Sequence, residues 1–198
     1  MRLTVSAGTV LIITLLAACM SSQEPAFDVL ITGGAGAEFE TLASAERYFA
    51  SSATFGATAS LLQAKGGHTA TMLPDGRVLI IGGETAEIYG SALDSVGATG
   101  NLIAARWLHT ATPLLDGRVL IAGGSTNTAI SSAELFDPAT GMYSGTTSLS
   151  AARSQHTATL LTDGSVLLAG GFGQSGALSS AELYSGASFS AADDLATA

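Results

Sequence analysis

The sequence predicts an all-β fold in which one four-stranded antiparallel unit recurs along the chain. Three observations carry that expectation. Segments His68–Gly83, His109–Gly124 and His156–Gly171 align without a gap, spaced 41 and then 47 residues apart. A block with a central Ala-Glu follows each of their glycine pairs. Asp-Gly turns sit between β-rich runs at the same place in every copy. Self-similarity of this kind is the mark of a duplicated supersecondary unit.

Each unit opens on a lead strand, the His-Thr-Ala-Thr run at His68, His109 and His156. Asp75-Gly76, Asp116-Gly117 and Asp163-Gly164 follow, predicting two-residue hairpins with both central positions at positive φ. The second strand, as in Val119-Leu120-Ile121, is apolar on both faces, so it is expected to be covered on both sides. A glycine pair ends it, where a side chain would block a bend or a close backbone approach. The third strand carries Glu46, Glu87, Glu134 or Glu182. The fourth is weaker, as in Met142-Tyr143-Ser144 after the turn Asp137–Gly141. A headless copy, Phe27–Gly34, begins the series. Four strands in about 45 residues is the size of a propeller blade.

Composition bounds the function. The chain has 198 residues, 16 acidic against 7 basic, and a formal charge of −9. That balance opposes nucleic-acid binding, which needs a lysine- and arginine-rich surface. A hydrophobic content of 47% opposes disorder. A single cysteine excludes a disulfide framework and a multi-thiolate metal site.

Residues 1–18 read as an export signal: Arg2, then an apolar run from Leu3 to Ala18 that is shorter than the roughly 20 residues of a membrane span. Leu16-Ala17-Ala18-Cys19 resembles the bacterial lipobox. The resemblance implies cleavage before Cys19, a lipid on that residue, and a bacterial envelope location with the lipid as the only membrane contact. Met20 leans toward the outer membrane where the host has one. Residues 19–26 read as a tether, and an ordinary cleaved signal peptide with an incidental cysteine is the alternative.

The apolar-strand-Gly-Gly element and the downstream Glu-Leu-Tyr block resemble bacterial kelch repeats of the galactose-oxidase-like propeller class, over about residues 27–190. The resemblance implies a kelch-type β-propeller segment over 27–198, with about four blades at 27–58, 59–100, 101–147 and 148–191. Three lead strands and four of each other kind make 15 strands, an incomplete or open ring. The offset start fits a ring closed by a C-terminal lead strand. The chain is then expected to be the N-terminal part of a longer six- or seven-bladed protein, or else an arc that closes by association. The first is favoured, because an open arc exposes faces and edges.

The repeated polar residues are expected to serve architecture. His68, His109 and His156 could in principle meet at an axis and hold zinc. A residue present in every copy does what every copy needs, however, so no metal is assigned. The same reasoning covers Glu46, Glu87, Glu134 and Glu182, with Lys65, Arg106 and Arg153 three residues before each histidine. Glutamate is expected to pair with the basic residue or the histidine, within or between blades. Gly33-Gly34-Ala35-Gly36 resembles a dinucleotide-binding loop, but Phe39 stands where a closing glycine belongs, and the match to the other Gly-Gly strands explains it better.

Copper oxidase chemistry would need a cysteine-modified tyrosine, and the one cysteine is Cys19. No catalytic residue and no cofactor is therefore assigned. Recognition is expected where the copies differ. Trp107 replaces Gly66 and Ser154 in the crossover, and Phe172 replaces Glu84 and Ser125 in the following loop. Both read as contact residues for a protein or glycan at the cell envelope, or equally as local packing. The other functional expectations are a fragment of a carbohydrate-active or oxidase enzyme, and a truncated product without independent function.

Overall fold

The computed structural model describes residues 28–197. The expected export signal over 1–18, Cys19 and the expected tether over 19–26 lie outside them. The described chain is all-β, with 17 strands and no helix. The first sheet pairs β1 (Val29–Thr32), β2 (Ala45–Phe49) and β3 (Thr54–Ala57). The second runs β4 (Thr69–Met72), β5 (Val78–Gly82), β6 (Thr85–Gly90) and β7 (Ser95–Ala98). The third runs β8 (Thr110–Pro113), β9 (Val119–Ala122), β10 (Ala133–Asp137) and β11 (Met142–Gly145). The fourth runs β12 (Thr157–Leu160), β13 (Val166–Ala169), β16 (Ala181–Ser185) and β17 (Ser188–Ala192). Every pairing is antiparallel between strands consecutive within the sheet.

The 15 strands of these sheets are those expected from the repeat. The remaining two, β14 (Phe172–Gly173) and β15 (Gly176–Ala177), form a small hairpin inside the last long loop. β17 runs to Ala192, past both Phe189 and the expected blade end at residue 191.

The hairpins differ from the expected two-residue form. Gly76 donates to the Leu73 carbonyl at 3.0 Å, and Leu73 donates to Arg77 at 2.8 Å. Only the glycine has positive φ, at Gly76 (83°), Gly117 (87°) and Gly164 (85°). This is a three-residue loop, a type I turn closed by a glycine in the left-handed region. The aspartate keeps negative φ because its carboxylate accepts the N–H two residues on, as from Arg77, Arg118 and Ser165.

The sheets pack face to face in chain order through three apolar clusters. Leu79, Ile81 and Ala86 of the second sheet meet Val119, Ile121 and Phe136 of the third. Leu120, Ala122 and Leu135 on the opposite face of the third meet Val166, Leu168 and Tyr184 of the fourth. Leu30 and Ala43 of the first meet Val78, Ile80 and Tyr89 of the second. β5 and β9, sandwiched on both sides, are buried throughout. The lead strands β4, β8 and β12 touch in succession.

Candidate functional site

The repeated polar residues form two kinds of buried strut. The first lies within a sheet. Arg106 Nη2 lies 2.6 Å from Glu134 Oε1, Arg153 Nη2 lies 3.0 Å from Glu182 Oε1, and Lys65 Nζ lies 3.2 Å from Glu87 Oε1. All six side chains are at most 2% exposed. The glutamates also anchor the crossover from the preceding sheet. Glu87 accepts from the Leu62 N–H at 2.7 Å, Glu134 from Ile103 at 2.8 Å and Glu182 from Ser150 at 2.7 Å. Burial opposes the charge of Glu182, yet the Ser150 and Ala151 N–H donors and Arg153 hold it below the usual carboxylate range. Arg106 forks further onto the Gly123 and Ser132 carbonyls at 2.8 and 2.9 Å.

Glu46 departs from this pattern. Its position matches the other three, but it is exposed and takes part in no ion pair among the described residues. The first sheet has no lead strand among those residues, and so no basic residue three places before a histidine to reach it.

The second strut crosses between sheets. His109 Nε2 lies 2.9 Å from Thr69 Oγ1 of the preceding lead strand, and His156 Nε2 lies 3.0 Å from Thr110 Oγ1. Among the described residues His68 has no preceding lead strand to address, and it lies 3.3 Å from Thr32 Oγ1 instead. Burial, followed by the charge of Arg106, pushes His109 down to about 3. Burial and Arg153 push His156 down to about 4. Burial and Lys65 lower His68. The rings are therefore neutral at pH 7. Among the described residues no three metal-ligating side chains converge.

The glycine pairs make room for these struts. A Cβ on Gly124, at φ 101°, would lie 2.9 Å from the His109 Cβ and 2.7 Å from the Trp107 carbonyl oxygen. In the second sheet β5 continues through Gly82, which turns only at Gly83. The loop there is the short one, closing directly onto Thr85.

Trp107 and Phe172 occupy the edge that carries the crossovers and the long loops. They stand on opposite sides of the same bridge in neighbouring sheets. Trp107 pairs with Ser125 in the third sheet, and Ser154 pairs with Phe172 in the fourth. Trp107 is 38% exposed and Phe172 51% exposed. The Trp107 ring also covers Gly83, whose Cβ position is 3.2 Å from it. Trp107 thus combines packing with exposure.

Beside them runs a backbone chain that the sequence reading misses. Gln155 donates to the Leu108 carbonyl at 2.9 Å, and Leu108 donates to Gly67 at 2.8 Å. All three are left-handed, at φ 57°, 57° and 52° for Gly67, Leu108 and Gln155. Leu108 and Gln155 are side-chain-bearing residues in a region that disfavours them. The only sequence signal was the glycine at the first of the three equivalent positions. A second missed signal is Leu61, Leu102 and Leu149, buried four residues before each basic residue.

Neither a scan against protein-family models nor a search of curated proteins matches this chain.

Proposed function

We propose that this chain is a kelch-type propeller segment of a lipid-anchored bacterial envelope protein that binds a protein or glycan and performs no catalysis. Cys19 carries the lipid in this reading, and the loop edge with Trp107, Leu108 and Phe172 carries the contact. One observation supports it above all. The histidines, the basic residues and the repeat glutamates other than Glu46 are consumed in buried struts, while Trp107 and Phe172 stand exposed at positions where the copies differ. Exposed aromatics on loops held by a rigid scaffold are favoured recognition residues.

Trp107 is the sole tryptophan, so its emission reports on the site directly. Titration with soluble envelope glycan fragments, and separately with envelope proteins, should shift that emission at saturating ligand. Phe172→Ala should weaken the binding about tenfold while leaving the melting temperature unchanged. Full binding retained by both Trp107→Ala and Phe172→Ala refutes the assignment. Cys19→Ala should release the chain from the membrane fraction, and continued membrane association would refute the lipid.

A further inference from the structure

The two end faces of the sheet stack are the two halves of an interface that the molecule makes three times internally. Each internal contact sets a leading face on the trailing face of the sheet before it. The leading faces of the third and fourth sheets carry tilted aromatic pairs, Phe136–Tyr143 and Tyr184–Phe189, each with centroids 4.9 Å apart. The first sheet carries the same pair, Tyr48–Phe55 at 5.0 Å. There it meets no sheet among the described residues, and Phe55 is 52% exposed. At the other end, Leu167, Ala169 and Leu183 occupy the positions of Leu120, Ala122 and Leu135. The latter three are at most 5% exposed, the former only half-buried. Thr159 is exposed where its equivalent, Thr112, is buried.

The polar register agrees. Leu61 and Leu149 begin their crossovers by donating to Ala43 and Ser131 of the preceding sheet, at 2.8 and 2.9 Å. Leu195 donates to Ser179, the equivalent residue of the fourth sheet, at 2.7 Å. In the crossovers to the second and fourth sheets the next two N–H groups reach the following sheet's glutamate, as Ser150 and Ala151 reach Glu182, and in the crossover to the third the Ile103 N–H reaches Glu134. After Leu195 those groups belong to Ala196 and Thr197, and the repeat glutamate left without such donors among the described residues is Glu46.

We propose that a second copy of this chain docks head to tail, its Tyr48–Phe55 face on the Leu167–Leu183 face of the first, with Glu46 accepting from Ala196 and Thr197. The inference rests on the repeated interface, not on the envelope-binding reading. The contact is heterologous, so each copy offers two different surfaces.

Sedimentation of the full chain over a concentration series tests it. Self-association is expected, either as a dimer or as longer assemblies. Phe55→Asp and Leu183→Asp should each be monomeric, and their equimolar mixture should form a 1:1 dimer through the one intact pair of faces. Thr159→Arg replaces Leu183→Asp if the latter fails to fold by circular dichroism. Glu46→Ala should weaken association several-fold. A wild-type chain that stays monomeric at all concentrations overturns the proposal and leaves the face to some other occupant. Loss of association in both single variants without recovery in the mixture also overturns it, because that marks a self-complementary interface.

Discussion

The first and third sheets are written in nearly the same residues, and one strand separates them. The third sheet has its lead strand β8, and there Glu134 is buried against Arg106 with the Ile103 N–H on its second oxygen. The first sheet has no such strand among the described residues, and Glu46, in the same register on β2, lies in solvent. The motif alone therefore does not bury the glutamate. The lead strand and the basic residue ahead of it do, by supplying a counter-charge inside the stack. The largest effect should follow from breaking that arrangement. Glu134→Gln leaves Arg106 buried without its counter-charge and should cost about 3–5 kcal/mol. Glu46→Gln, on the exposed copy, should stay within about 0.5 kcal/mol. Urea denaturation of the two variants measures both, and equal costs would remove the distinction between the sheets.

The histidine struts sharpen the same comparison through pH. His109 and His156 sit at about 3 and about 4 in the folded chain, against roughly 6.5 unfolded. Between those values the unfolded chain binds more protons, so stability rises with pH and is lost on acidification. The loss begins near pH 6.5 and should reach about 2 kcal/mol per histidine at pH 5. His68, lowered in the same direction, adds with the same sign. This window lies above the usual carboxylate range and so reports the histidines. Stability measured from pH 7 to 5 should fall, and His109→Gln should remove one histidine's share of the slope. A flat profile would show that the rings are not held neutral by burial.

The fold was legible where the physics is local and repeated. The apolar second strand with its glycine pair recurs in all four sheets, and the Asp-Gly turn recurs at a fixed offset in the last three, so together they locate every second strand and the three lead strands. The turn type was misread because Asp-Gly alone does not separate a two-residue loop from a three-residue one. Pro74, placed before Asp75 and suited to the first turn position, was the missing clue. The β14–β15 hairpin has no counterpart in the other copies, so no repeat could announce it. An ion pair was readable from the offsets of Glu134 and Arg106, but whether it lay within or between sheets was not. The His–Thr struts join residues about 40 apart across sheets, and no local pattern encodes them. The left-handed Leu108 and Gln155 were hidden for a different reason, because neither residue type advertises the conformation.

The smallest expected effect isolates burial from distance. Arg118 Nη2 lies 2.6 Å from Asp116 Oδ2 across the hairpin of the third sheet, the same separation as Arg106 from Glu134. The hairpin pair is 43% and 48% exposed, whereas the strut is 1% exposed on both sides. Water screens the first pair, and its geometry is already fixed by the turn, so Arg118→Ala should change stability by at most about 0.5 kcal/mol and less in high salt. Arg106→Ala removes the counter-charge of a buried carboxylate and the donor to two backbone carbonyls, Gly123 and Ser132. The ratio of the two losses, read from paired denaturation curves at low and high salt, is the measure. Comparable losses would mean that Glu134 is hydrated in solution, and the strut would then no longer explain why the repeat keeps a glutamate inside its sheets.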